Sequence, residues 1–327
     1  MNFLKQEQSF KLSDIFREVN LYKNGHLFCA FMEQGIKDRQ RTTVKKDMIK
    51  ASTAASHQVT LEWFKRYLNF TDIEIHRIDN VVLEGFANYV GEHMIESSVW
   101  AKNKNIKSYI SYAFRHKIMV NPFYKLFTVA KPEHDPTWLE EDELNELLNI
   151  YYGNNPLKQK LTFEQSRNCR AFLFACFTGL RISDLSRWNK DWIKNDHIAF
   201  VPQKVKKSIK NPKPIVIPII PIAKQFIDEL TAETFDLPED QVYNRGLKVL
   251  AEIAGIEKNL TSHVARHTFA TWLAIDNVPV LVISKLLGHK STVTTMVYIH
   301  IAEEYMAREM MKMQRRFGMR PVQQLIA

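Results

Sequence analysis

The chain has 327 residues, with 45 Lys and Arg against 36 Asp and Glu, a formal net charge of +9 and a pI near 9.3. That length allows two domains, each burying its own core. The moderate basic excess fits a nucleic-acid partner, and ordinary solubilising charge also accounts for part of it. Cys29, Cys169 and Cys176 are the three cysteines. Their odd number implies no disulfide framework, their spacing is not that of metal ligands, and they fit free thiols in a reducing cytoplasm. The N-terminal MNFLKQEQSFKLSDIF lacks an apolar signal core, and no run is long enough to span a bilayer, so no membrane partner is expected.

Residues 1–25 are polar and weakly patterned, and are expected to be a lead-in or a partial arm. From Leu27 onward, LFCAFMEQGIKD, MIKASTAASHQVTLEWFKRYL, VVLEGFANYVGEHM and the segment from Val99 to Lys117 carry apolar residues at three-and-four spacing. They predict a four-helix domain over 26–130, with IEIHRID as a connection. Its last helix opens a stretch from Glu96 to Glu133 with no acid between those two residues. Lys102, Lys104, Lys107, Arg115, Lys117, Lys125 and Lys131 fall in it, interleaved with Tyr109, Tyr112 and Phe114. A helix face of one sign suits a phosphate backbone, whereas solvated faces mix signs for pairing along the helix. Lys102, Lys104, Lys107, Arg115 and Lys117 are the candidate DNA contacts.

KPEHDP, two prolines and no apolar residue, marks a linker over 131–137. Thr137 and Glu140 then read as a capping box ahead of LEEDELNELLNIYY, a helix ended by NNP at 154–156. The next helix, through Phe177, is apolar almost all round and is expected at the centre of a second domain over 138–327. HIAFVP and PIVIPI predict a small β-hairpin with the lysine-rich tip QKVKKSIKNPK, and no acid occurs between Asp196 and Asp228. Helices from Ile222 and from about Pro238 to Gly255 follow, and an amphipathic tail closes the chain. The fold class is mainly α, with one small β element in the second domain.

Two stretches concentrate the chemistry. In TSHVARHTFATWLAIDNVPVLVISKLLGHKSTVTTMVY, His263 and Arg266 leave one helix face, and Pro279 opens a short helix that stops at Gly288. His289 follows at once, and Tyr298 stands nine residues further on, after a short segment that Ser291 and Thr292 cap. Upstream, AFLFACFTGLRISDLS breaks at Thr178 and Gly179 and places Arg181 at the start of a new helical turn. Each residue alone fits a packing or solvated role. Together, in this order, they resemble the tyrosine recombinases, the integrases of phages and other mobile elements.

The resemblance spans roughly residues 30–315 and implies a helical core-binding domain followed by a catalytic domain. It implies that Arg181, His263, Arg266, His289 and Tyr298 form the active site, with Asp184 in the acidic position of the first box. It also implies a lysine on the hairpin. Lys204 is the choice, although Val205 stands where the family has Thr and Lys206 and Lys207 are rivals and candidate DNA contacts.

Two guanidinium groups on one phosphate would stabilise the charge that develops as a nucleophile adds to phosphorus, without metal or cofactor. Tyr298 would attack, Lys204 would protonate the leaving oxygen, His289 would donate to the phosphate, and His263 would accept the phenol proton or orient the phosphate. A phosphotyrosine retains the energy of the phosphodiester, and the chain has no GxxxxGK[ST] loop, so ATP is not expected. The implied activity is integration or excision at double-stranded DNA sites by four self-associated protomers. An accessory DNA-bending or excision factor and a nucleoid-associated cytoplasmic location would accompany it. A type IB topoisomerase, or a DNA-binding regulator with a retired site, are the rival expectations.

Overall fold

The computed structural model describes residues 26–45, 47–132, 135–154, 160–203 and 213–316, with the backbone alone over 313–316. The chain divides into two compact units, Met1–Glu133 and His134–Ala327.

In the first unit, α1 (Phe28–Arg41), α2 (Ala51–Tyr67), α3 (Asn80–Gly91) and α4 (Glu96–Arg115) turn their apolar stripes to a common core. Phe64 is its hinge point: its ring meets Phe28 at 5.3 Å and Phe86 at 5.0 Å, both edge-on. The Asp72 carboxylate accepts from Cys29 N at 2.8 Å and Ala30 N at 3.1 Å, so a distant side chain caps α1. The IEIHRID connection supplies a short 3-10 turn at Ile75–Arg77 and one antiparallel bridge between Leu27 and Glu74. Inside the unit, His57 Nδ1 lies 3.0 Å from the Tyr109 hydroxyl, and the Arg39 guanidinium stacks 5.0 Å over the Tyr109 ring. Burial, helped by the Arg39 charge, pushes His57 down to about 4.

In the second unit, α5 (Glu141–Tyr152) precedes α6 (Phe163–Thr178), whose residues Ala171 to Cys176 are buried on every side. The start of α5 differs from the sequence expectation. Glu140 is the N-cap and pairs reciprocally with Glu143, so the capping box begins three residues after Thr137. At its other end Gly153, in the left-handed conformation, terminates the helix ahead of the Asn-Asn-Pro stretch. The short α7 (Ile182–Leu185) leads to β1 (Ile193–Lys194), β2 (His197–Phe200) and β3 (Ile215–Pro218), an antiparallel sheet in that order. The hairpin of the sequence is β2 and β3, in register through Ile198 and Ile217. The two-residue β1 is too short to leave a pattern.

Four helices complete the unit: α8 (Pro221–Asp228), α9 (Asp240–Ala254), α10 (Ser262–Ile275) and α11 (Val280–Leu287). They are followed by α12 (Val293–Arg316). The sequence separates Tyr298 from the amphipathic tail, whereas the structure puts both on α12. Ile301 and Ala302 are buried, Tyr305 packs against Trp138 and Trp272, and Arg308 pairs with Glu140 at 3.0 Å, so this much of the tail packs on its own chain. The mainly helical class and the small sheet agree with the sequence.

Buried His57 gives a pH test. Its folded pKa of about 4 lies below the unfolded value, near 6.5, so the unfolded state binds the extra proton between these values. Stability is therefore present above about pH 6.5 and lost as pH falls toward 4, by about 2 kcal/mol at pH 5 relative to pH 7. Urea unfolding of the full chain at these two pH values should show this loss, and His57→Asn should reduce it.

Candidate active site

The site is built on two helix ends. α6 stops at Gly179, which adopts φ +66°, and an added Cβ there would lie 2.5 Å from the Phe269 ring. α11 stops at Gly288, φ +62°, where a Cβ would lie 2.1 Å from Ile215 Cδ1 on β3. Both positions therefore favour glycine through their positive φ, and at Gly179 a side chain would also meet the Phe269 ring. Two residues beyond Gly179, Arg181 is the extended N-cap residue of α7. One residue beyond Gly288, His289 turns back, its Nδ1 2.9 Å from the buried Thr295 hydroxyl.

Arg266, on α10, joins these ends. It is 6% exposed, and donates from one terminal nitrogen to Gly179 O at 2.6 Å and from the other to Leu287 O at 2.5 Å. These carbonyls belong to the last turns of α6 and α11, where unpaired backbone acceptors and the helix dipole favour a cation. Burial pulls the Arg266 pKa down to about 9, and the nearby Arg181 charge adds to the fall, opposed by Tyr298 and Asp184. Burial also lowers Arg181, with Asp184 and Tyr298 opposing. The two guanidinium groups are thus neighbours in a partly dry setting.

Tyr298, 3% exposed on the second turn of α12, completes the group. Its pKa is raised by burial and lowered by Arg266 and Arg181, so the phenol feels both cations. Its hydroxyl lies 2.9 Å from Nδ1 of His267, a residue the sequence reading passed over. The available signal was helical register: His267 is one turn after His263 on α10, beside Arg266. His263 itself is exposed, its ring 6.2 Å from that of His267.

Asp184, 1% exposed, accepts from Arg187 at 2.8 Å and from Gln203 N at 2.8 Å. It therefore fixes the root of the β2–β3 connection to the Arg181 turn. Lys204, Lys206 and Lys207, on that connection, lie outside the described residues.

The basic run on α4 is less uniform than its sequence. Lys102 is 8% exposed, with its ammonium 5.7 Å over the Trp63 ring and its pKa lowered by burial, so it does not belong to an exposed stripe. Lys107 donates to Phe127 O at 2.5 Å, and Arg115 pairs with Asp47 at 2.8 Å. Lys104, 4.6 Å over Trp100, and Lys117 are exposed. An apolar stripe at helical spacing drew in Lys102 because its long stem can pack while its head finds an aromatic face.

A helical unit followed by a unit that gathers two arginines, histidines and a tyrosine around two helix ends, with no metal-binding carboxylate cluster among the described residues, fits a phosphoryl-transfer class. Comparison with known proteins agrees. The phage integrase family profile matches residues 137–305, and the phage integrase SAM-like domain matches residues 27–130. A tyrosine recombinase of Thermosipho africanus is 26% identical over 258 residues, 73% of this chain and 86% of the relative. Tyrosine recombinase XerD of Lacticaseibacillus casei is 25% identical over 276 residues, 78% and 89% of the two chains. Among solved structures, lambda integrase as a tetramer bound to a Holliday junction shares the fold with a TM-score of 0.63 at 18% identity, covering 90% of this chain and 88% of that one. The chain belongs to the phage integrase family.

Because Arg266 satisfies two helix-end carbonyls, its loss should cost stability as well as activity. Arg266→Ala is expected to destabilise the chain by about 2–4 kcal/mol, through two buried acceptors left without a donor. Arg181→Ala should cost less than about 1 kcal/mol, in the range of substitutions that leave no buried group unpaired. Urea unfolding of the two variants measures the difference.

Proposed function

We propose that this chain cuts and rejoins DNA strands through a covalent bond between Tyr298 and a DNA 3′ phosphate. By family it is a tyrosine-type site-specific DNA recombinase. The observation that carries the residue assignment is the single neighbourhood of Arg181, Arg266 and Tyr298, each perturbing the pKa of at least one of the others.

A phosphodiester entering here would meet two guanidinium donors. Their mutual repulsion and desolvation are relieved by an anion, and most by the extra charge of the pentacoordinate transition state. Tyr298 attacks phosphorus, the 5′ oxygen leaves, and the phosphotyrosine keeps the bond energy for rejoining without ATP. Lys204, or a neighbour on the same connection, protonates the leaving oxygen. His289 donates to the phosphate, and His263 orients it from the exposed face of α10. The first unit holds the duplex through Lys104, Lys117 and Arg115, with Lys206 and Lys207 adding charge from the second.

Exchange between two duplexes needs four cuts, hence four protomers with one tyrosine each. Lambda integrase forms such a tetramer on a Holliday junction, which supports the same assembly here. Integration or excision of a mobile element, with an accessory DNA-bending or excision factor at the nucleoid, is the setting we infer. The relatives lend no support to a type IB topoisomerase or to a regulator with a retired site.

On a nicked suicide duplex carrying the recombination site, wild type should form a covalent protein–DNA adduct and Tyr298→Phe none, while both bind. Arg181→Ala should abolish the adduct and keep binding within a few-fold; equal loss of both would make Arg181 a docking residue. For the first unit, Lys104→Ala should weaken binding at every sequence and lower the salt-dependence slope by about one. Titrations between 50 and 200 mM salt would read this.

A further inference from the structure

The reaction needs an acceptor for the proton of the Tyr298 phenol. His263 is the expected histidine, yet the imidazole on the phenol oxygen is that of His267, with Nδ1 2.9 Å away and the two rings 5.8 Å apart. Tyr298 is almost fully buried, so bulk water does not reach its hydroxyl freely. His267 sits one turn along α10 from His263 and next to Arg266, so the helix that pins the two carbonyls also fixes this imidazole.

We propose that His267 is the general base of strand cleavage, a catalytic residue that touches the nucleophile. The imidazole holds its hydrogen on Nε2, and Nδ1 accepts the phenol's hydrogen bond. As the Tyr298 oxygen bonds to phosphorus, its proton passes to Nδ1, and the bond from phosphorus to the 5′ oxygen breaks. That oxygen takes its proton from the general acid of the hairpin connection. In rejoining, the 5′ hydroxyl attacks, the tyrosine oxygen leaves, and His267 returns the proton to it.

Burial, then the charges of His263 and Arg266, hold His267 down at about 4, so the imidazole is neutral when DNA is absent. The charged groups around the pair are His263 and Arg266 on the same helix, and Arg181, which faces Tyr298. A bound phosphate would offset guanidinium charges that lower both groups, so it would raise the imidazole and the phenol together.

This inference rests on Tyr298 as nucleophile, and the experiment separates the two. Adduct formation is followed in single turnover at saturating protein with wild type, His267→Asn and Tyr298→Phe, alongside DNA affinity and urea unfolding. Asparagine places its amide oxygen near the Nδ1 position and accepts a hydrogen bond, but cannot take a proton. His267→Asn should fold and bind as wild type and cleave about a hundred-fold slower or more. The defect should persist on a substrate with a bridging sulfur in place of the 5′ oxygen, because a thiolate leaves without a proton. Wild-type rate in His267→Asn, or full recovery on the sulfur substrate, would overturn the role of His267. An adduct formed by Tyr298→Phe would instead overturn Tyr298 as nucleophile.

Discussion

One buried guanidinium holds the second unit's site together. Arg266 spans Gly179 O and Leu287 O, the last carbonyls of two helices that are far apart in the chain. Helix ends carry unsatisfied acceptors and a fractional negative charge, so a cation there meets both needs at once. The cost is desolvation of the guanidinium, visible in a pKa drawn down to about 9. Because Arg181 begins one residue after Leu180 and His289 one residue after Gly288, fixing these two carbonyls also fixes where both side chains start. The glycines at each end are part of the same device, since a side chain would strike Phe269 or Ile215.

The nucleophile is delivered by a different route. Tyr298 lies on α12, a helix that continues through Tyr305 and Arg308 and packs on Trp138, Trp272 and Glu140. The phenol's position is thereby coupled to packing far from the chemistry. The same burial raises the phenol's pKa, against the lowering pull of two arginines. Asp184 provides a third coupling: one carboxylate ties the Arg181 turn to the root of the hairpin connection.

In the first unit the distribution of charge matters more than its amount. α4 carries four basic residues, Lys102, Lys104, Lys107 and Arg115, but the core claims part of them: Lys102 lies over Trp63 and Lys107 serves a loop carbonyl. Lys104 and Lys117 stay outside, and Arg115 is shared with Asp47.

The sequence by itself determined the helical class and the short hairpin, and it named Arg181, Arg266, His289 and Tyr298 as candidates, because each depends on local signals. Apolar spacing makes the helices, Gly179 and Gly288 end them, and the order of the polar residues is readable along the chain. Three things were decided only by tertiary structure. Which lysines of α4 face solvent depends on aromatic rings brought in from α2. That Arg266 serves two carbonyls depends on helix ends separated by more than a hundred residues, of which a linear pattern carries no trace. That His267 and not His263 meets the phenol depends on how α10 is rotated against α12, an angle set by the packing of Ala270, Ala274 and Ala302. Periodicity names the buried face of a helix, but only its neighbours decide which of two histidines one turn apart touches a given oxygen.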